Sequence, residues 1–334
     1  MLKQKLRWGI LSTANIGRAA VIPAIQASQN GVVTAVASRD AQKGAEFAAK
    51  LGIPVSYGSY EALLDDPEID AVYIPLPNSM HYEWTIKAAR AGKHILCEKP
   101  LALTAIQCLE MGAAAHEHGV LLMEAFMYRF HPRTEKIIEH VQSGALGSVQ
   151  MIQSSFTFRV NQPDNIRMIA ELGGGSLMDV GCYCVNICRT LAGEEPIAVQ
   201  AFANWSASKV DEQLIGNMRF ANGLLAQFDC ALTLGRRETY TVAGTDAYLF
   251  VPDAFLPGQG NSYFQEFQNR KESIYEFVGS DEYQLMVEYF ANCVLNKQSL
   301  KYNVTEAAAN MRVIEALYQS THNNGAWQAV LPLT

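Results

Sequence analysis

Asp179 and Tyr183 stand four residues apart in a stretch that follows three consecutive glycines, Gly173, Gly174 and Gly175. If that stretch is a helix, both side chains project from one face. A phenol with a pKa near ~10 exchanges protons poorly at neutral pH unless a cation lowers that value. Lys99, in Glu98-Lys99-Pro100, can supply the cation, because the proline biases the residue before it toward an extended conformation. Lys99 and Tyr183 together suit the donation or removal of a proton at an oxygen. Asp179 then orients a substrate or a neighbouring side chain, or takes the proton itself. On residue type alone the plainer readings stay open: Lys99 as an exposed lysine at a strand end, and Tyr183 as a half-buried aromatic with its hydroxyl satisfied.

The elements that must position these groups begin with an alternation of β-rich and helical stretches. Hydrophobic periodicity predicts strands over Leu6–Leu11, Val32–Ser38, Ala71–Pro75, His94–Glu98 and Val120–Glu124. Helices are expected over Ile16–Ser28 and Ala41–Leu51, the latter capped by Asp40, and another begins at Thr104 with Gln107 completing a capping box. Strand and helix alternating at this spacing is the pattern of a parallel, doubly wound α/β sheet. After about Phe130 the rhythm changes. Val149–Val160 reads as a long strand, and the glycine cluster opens a helix to about Leu191. The runs Ile197–Ser206, Leu214–Phe220, Leu224–Thr233 and Tyr240–Val251 follow without helices between them, which indicates a mostly antiparallel sheet. Helices over Glu282–Asn296 and Thr305–His322 close the chain.

The first strand-turn-helix reads Gly9-Ile10-Leu11-Ser12-Thr13-Ala14-Asn15-Ile16-Gly17. A dinucleotide site needs a tight turn, close backbone approach to the pyrophosphate and a helix N-terminus aimed at it. The usual glycine positions fall on Ser12, Ala14 and Gly17, so only the third is glycine, although the other two are small. A plain strand–helix turn is the alternative. The second strand ends in Ala37-Ser38-Arg39, where an NAD site carries an acidic residue for the ribose hydroxyls. A hydroxyl followed by a guanidinium suits a 2′-phosphate, and Lys43 adds charge one turn on, so NADP is favoured over NAD. In the competing reading Arg39 is a solvated surface residue and Asp40 holds the ribose.

At this point the chain resembles the glucose–fructose oxidoreductase / inositol dehydrogenase / MocA group over essentially its whole length. The resemblance rests on the degraded glycine turn, on Tyr73-Ile74-Pro75-Leu76-Pro77-Asn78 with His81, and on Glu98-Lys99-Pro100. It rests too on the run from Glu124 to Pro132 and on Gly173-Gly174-Gly175-Ser176-Leu177-Met178-Asp179-Val180-Gly181-Cys182-Tyr183. Many members carry His where this chain has Tyr183. The variant is similar to the branch of dimeric dihydrodiol dehydrogenases, NADP-linked D-xylose dehydrogenases and sugar 3-ketoreductases, and argues against inositol-type chemistry. The resemblance implies a Rossmann domain over residues 1–125. An α+β domain with a large, open, mostly antiparallel sheet would follow over 126–334, binding substrate and pairing copies face to face as dimers or tetramers. It implies cofactor contacts from Ser12, Thr13, Ala14, Asn15, Ile16, Ser38, Arg39, Lys43, Pro75, Leu76, Asn78, His81, Glu98 and Lys99. It makes Lys99 and Tyr183 the catalytic pair and makes a cis bond before Pro100 unsurprising.

The remaining features bound the function. A net charge of −7 without a basic run argues against nucleic acid or an anionic membrane as partner. Lys3, Lys5 and Arg7 precede an apolar run of only Trp8 to Leu11, too short for a signal peptide. Seven cysteines, an odd number, suggest free thiols in a reducing, cytoplasmic setting. Cys182, Cys184 and Cys188 lack a converging second cluster and read as core residues, so no metal is expected. Asn165 and Arg167 are candidates for binding substrate hydroxyls, with Tyr283 and Gln284 weaker ones. Arg236-Arg237 suits an anionic substrate or a solvated strand end. The expected activity is NADP(H)-dependent hydride transfer to or from an aldose, keto-sugar or related polyol. The alternatives are a non-catalytic NADP-binding sensor and an aldose–aldose oxidoreductase whose NADP does not dissociate.

Overall fold

The computed structural model describes residues 5–162 and 164–332, so Lys3 lies outside it. The chain divides into two compact units, the first comprising Met1–Met127 with Asp281–Ala307 and the second Tyr128–Ser280 with Ala308–Thr334.

In the first unit, β1 (Leu6–Leu11), β2 (Gly31–Ala37), β3 (Val55–Tyr57), β4 (Ala71–Ile74), β5 (His94–Cys97) and β6 (Leu122–Glu124) form one parallel sheet. Its order is β3-β2-β1-β4-β5-β6. Every residue of β4 is buried, as a strand covered on both faces requires. The helix Ala41–Leu51 is capped by Asp40, whose Oδ1 accepts from Lys43 N at 3.1 Å. Thr104 caps Ala105–Glu117, but the Gln107 carboxamide reaches past the cap to Leu103 N at 3.1 Å. The helix Glu282–Leu295, read from the sequence as part of the second half, belongs to this unit. Its Phe290 packs 5.3 Å from Trp8, and its Glu288 carbonyl and Asn292 side chain accept from Asn30 Nδ2 at 2.8 and 2.9 Å.

The second unit is built on a nine-stranded sheet. Its strands are β7 (Val149–Arg159), β8 (Ala198–Trp205), β9 (Asp211–Arg219), β10 (Leu225–Ala231), β11 (Thr233–Gly244), β12 (Tyr248–Pro252), β13 (Ser262–Gln268), β14 (Lys271–Phe277) and β15 (Gln328–Ala329). The order is β14-β13-β12-β11-β7-β10-β9-β8-β15, antiparallel except where β7 meets β10. The run Tyr240–Val251 is therefore two strands, folded back between Gly244 and Ala247. A further hairpin, β13–β14, turns at Asn269 and Arg270, both left-handed with φ of 52° and 64°. One face of the sheet packs on the wholly buried stretch of the helix Cys182–Ala192, which lies on β7 and β10. Along β9 the buried residues Leu214, Gly216 and Met218 alternate with more exposed ones, the half-buried signature of a sheet with one open face.

Candidate active site

In the first unit, β1 and β4 lie side by side at the centre, where the strand order reverses direction. Ligands of open α/β sheets bind at the carboxyl edge of such a switch point. There Ser12 holds φ at 130°, a conformation glycine favours and serine rarely adopts. Its Oγ accepts from Ala14 N at 3.2 Å and donates to Pro75 O at 3.4 Å, tying the β1 turn to the end of β4. The serine thus takes the glycine's backbone shape and offsets the strain with local hydrogen bonds. Beyond Thr13 and Ile16, a wide π-type turn over Gly17–Val21 leads into the helix Ile22–Ala27. Asn15 is exposed and accepts from Arg18 Nη2 at 2.6 Å.

At the end of β2, Ser38 is buried and its Oγ accepts from Asp40 N at 3.2 Å. Arg39 is exposed beside Tyr60, whose hydroxyl is pushed up in pKa by burial and pulled down by that guanidinium. The Asp40 carboxylate caps its helix and stands 3.8 Å from the Lys43 ammonium. Arg39, Asp40 and Lys43 are all exposed at this edge, with Asp40 shared between its cap and Lys43.

Lys99 follows β5, and the Lys99–Pro100 peptide is cis. Its neighbours form a frame of buried and half-buried groups. Tyr73 donates to Glu98 Oε1 at 2.6 Å, and Lys99 N donates to Glu98 Oε2 at 3.3 Å. Burial, then the Glu98 charge, pushes the Tyr73 hydroxyl well above its ordinary pKa. Leu101 N donates to Glu124 Oε1 at 2.8 Å. His81, expected at the cofactor, is fully buried with Nδ1 2.9 Å from Pro100 O and Nε2 2.8 Å from Leu76 O. His81 thus lies between the carbonyls of Leu76 and Pro100 and ties the Leu76 loop to the lysine loop. Glu98 is likewise part of the frame. Asn78, the first residue of the helix Asn78–Arg90, stands at the same edge.

In the second unit the glycine cluster is required by close approach. Gly175 N donates to Arg167 O at 2.9 Å, and a Cβ on Gly174 would overlap that same carbonyl. Gly175 has φ of 121°, and a side chain there would collide with the Asp211 carboxylate. A second π-type turn, Leu177–Gly181, then opens the helix Cys182–Ala192 and carries Asp179. Such widened turns often sit at functional sites. Arg167 Nε donates to Asp179 Oδ2 at 2.6 Å, while Asn165 Oδ1 accepts from Arg167 N at 3.1 Å. Asn165 and Arg167, expected to bind substrate, stand beside Asp179, and Arg167 holds its carboxylate. Tyr183 is 5% exposed, its ring centroid 5.8, 5.4 and 5.3 Å from those of Tyr128, Phe156 and Phe255. Phe255 lies in the loop after β12, and no sequence signal singled it out.

The weaker candidates divide between the two units. Tyr283 and Gln284 belong to the first unit, where Asp281 Oδ1 accepts from both backbone amides and Gln284 Nε2 bonds Glu288 at 3.0 Å. Arg237 pairs with Asp229 and bonds Ser155 Oγ at 2.8 Å, and Arg236 pairs with Glu238. Cys182, Cys184 and Cys188 are buried free thiols, and burial pushes Cys188 up to about 12. Among the described residues no group of three or more His, Cys, Asp or Glu side chains could hold a metal. Nor is any described helix long and apolar enough to cross a membrane.

A dinucleotide fits the first unit by its own features: the glycine-like turn at Ser12, the small Ala14, the helix start beyond, and exposed Arg39 and Lys43. Residues 6–126 match an oxidoreductase family with an NAD-binding Rossmann fold, and residues 134–250 match the GFO/IDH/MocA C-terminal domain. The chain is 39% identical over 323 residues to D-xylose 1-dehydrogenase (NADP(+)) 2 of Haloferax volcanii, covering 96% of this chain and 99% of that one. It is 32% identical to trans-1,2-dihydrobenzene-1,2-diol dehydrogenase of Mus musculus, covering 75% and 76% of the two chains. A 3-ketoreductase from Actinomadura kijaniata, solved with NADP and TDP-benzene, superposes with a TM-score of 0.91 at 27% identity, covering 95% of this chain and 98% of the other. The turn at Ser12, the lysine frame and the glycine-opened helix thus stand in a chain that belongs to the GFO/IDH/MocA family of oxidoreductases.

Proposed function

We propose that the chain moves a hydride between NADP(H) and a carbohydrate-like alcohol or carbonyl compound, namely an aldose, a keto-sugar or a related polyol. The observation that carries this reading is the carboxyl edge of the first sheet. It brings together a pyrophosphate-compatible turn at Ser12, exposed Arg39 and Lys43 beyond the end of β2, and Lys99 after β5. When bound, NADP(H) supplies or takes up the hydride. The chain's own residues do the rest. Lys99 hydrogen-bonds the reacting oxygen, Tyr183 gives or takes its proton, and Asp179, held by Arg167, accepts from a neighbouring substrate hydroxyl. Aldoses, keto-sugars and trans-dihydrodiols assayed with NADP+ or NADPH, following the absorbance of reduced nicotinamide, test this. Turnover of none of them refutes it. The seven free thiols fit work in a reducing cytoplasm.

Cofactor choice has its own test. Arg39→Ala weakens NADP(H) by about 1.5–3 kcal/mol, the worth of a charged hydrogen-bond pair, and leaves NAD(H) nearly unchanged. Titrating both cofactors into the variant checks this, and equal losses contradict the 2′-phosphate role.

The open face of the second sheet carries exposed apolar register partners, Phe202 with Ile215 and Leu225 with Met151, and beyond them Tyr248 and Ile274. Apolar area of this kind marks an interaction surface, and we propose that a second copy of the same face covers it. Sedimentation at micromolar concentration then shows a dimer or a tetramer. A monomer alone contradicts the pairing.

A further inference from the structure

Asp211, the first residue of β9, is a carboxylate only 1% exposed that neither composition nor motif distinguishes. Its Oδ2 accepts from Ser176 Oγ and from Leu177 N, both at 2.7 Å. Its Oδ1 accepts from the Tyr318 hydroxyl, also at 2.7 Å. Gly175 is the residue whose missing Cβ lets the carboxylate come this close. Burial pushes the Asp211 carboxyl up in pKa, and these donors oppose that shift. The contacts meet the chain at the entry to the π-type turn, where Asp179 N donates to Gly175 O at 3.0 Å. A second grip lies further along. Asn310, on the same helix as Tyr318, donates from Nδ2 to Cys182 O at 3.2 Å and accepts from Arg189 Nη1 at 3.1 Å. The chain just before Asp179, at Ser176 and Leu177, and the residue just before Tyr183, at Cys182 O, are therefore held by buried polar side chains from outside the Asp179–Tyr183 segment.

We propose that Asp211, braced by Tyr318, is a positioning residue that sets the placement of Asp179 and Tyr183 by fixing the start of their helix to β9 and the last helix. Side-chain oxygen at a helix start satisfies amides that the helix leaves open, and a carboxylate there also meets the favourable end of the helix dipole. A displacement of about 1 Å in a reacting group costs up to ~10²-fold in turnover even when its source is remote. The carboxylate thus acts through two other residues and touches no substrate itself. This inference rests on the hydride-transfer reading above.

The test uses the full chain with Asp211→Asn, Asp211→Ala, Ser176→Ala and Tyr318→Phe. Thermal melting establishes folding, nicotinamide fluorescence gives NADPH affinity, and kcat and KM are measured on the best substrate of the panel well below each melting temperature. The expected result is a kcat loss of ~10- to 100-fold in Asp211→Asn, larger in Asp211→Ala and a few-fold in Tyr318→Phe. KM should move less than kcat, and NADPH affinity should stay within about twofold of wild type, because only the transition-state arrangement is disturbed. Folded variants that melt earlier yet keep wild-type kcat overturn the proposal and leave Asp211 a purely structural anchor. If the Asp211 variants do not fold, Tyr318→Phe and Ser176→Ala decide on the same readout, and unchanged kcat in both overturns it. A wild-type chain without turnover on any substrate is a different failure, that of the hydride-transfer reading itself.

Discussion

Tyr183→Phe lowers turnover by ~10²- to 10⁴-fold and leaves NADP(H) affinity and stability close to wild type, the range for losing a general acid–base group. The substitution isolates the hydroxyl, because the ring sits among Tyr128, Phe156 and Phe255 and phenylalanine fills the same volume. Lys99→Met also lowers turnover, and it raises KM as well, since the ammonium is proposed to contact the reacting oxygen. If the lysine works by making the phenol a competent acid at neutral pH, the double variant loses less than the product of the single losses. The measurement is a set of steady-state constants for the four proteins with one substrate and NADPH. Near-normal turnover in Tyr183→Phe sinks the assignment and gives proton exchange to Asp179. A charge-assisted hydrogen bond of 2.6 Å from Arg167 fixes the orientation of the Asp179 side chain.

How much of this was legible in the residues depended on the range of the interaction. Local signals translated well. Asp40 and Thr104 cap the helices they precede, and the small residue in the first glycine position takes the glycine's backbone conformation. Ser38-Arg39 at the end of β2 is readable because strand end and helix cap lie within a few residues. Signals failed where a turn used unusual chemistry. Asn269-Arg270 reverses β13 into β14 in the left-handed region without a glycine, so the hairpin left no mark that periodicity could bracket. Between β11 and β12 the chain turns within a few residues and the two strands read as one run. Long-range pairing was the least visible. The pairing of Arg167 with Asp179, twelve positions on, leaves no local mark in the sequence. Nor does the sequence mark the carbonyls of Leu76 and Pro100 on either side of the His81 ring. Asp281–Ala307 follows the β-rich run yet packs with the first unit, because Phe290 finds Trp8 and Asn292 finds Asn30.

Arg133→Met destabilises the chain by about 3–5 kcal/mol, more than a typical core substitution, because it strips several backbone acceptors of their donors at once. Arg133 sits at the start of the helix Pro132–Gln142, where an arginine ordinarily reads as surface charge, yet it is 1% exposed. Its Nη1 donates to Pro252 O at 2.9 Å and Tyr263 O at 3.3 Å. Its Nη2 donates to Asp253 O at 2.6 Å and Ala254 O at 3.3 Å. One guanidinium thus closes the loop between β12 and β13, including Asp253 with its φ of 43°. That loop delivers Phe255, which stacks on Phe156 at 5.3 Å and borders the Tyr183 ring. Methionine matches the length of the stem and leaves the carbonyls buried without donors. Lysine restores the charge but presents its donors from a single nitrogen, so Arg133→Lys recovers only part of the loss. Urea unfolding of the three proteins, compared at equal m, separates these outcomes. A methionine variant within about 1 kcal/mol of wild type shows that water takes over the carbonyls and that the clamp is dispensable. A lysine variant equal to wild type shows that charge, not the planar fork, holds the loop. If the clamp is as described, turnover of Arg133→Met falls as well, through Phe255 and the ring it supports, while NADP(H) affinity does not change.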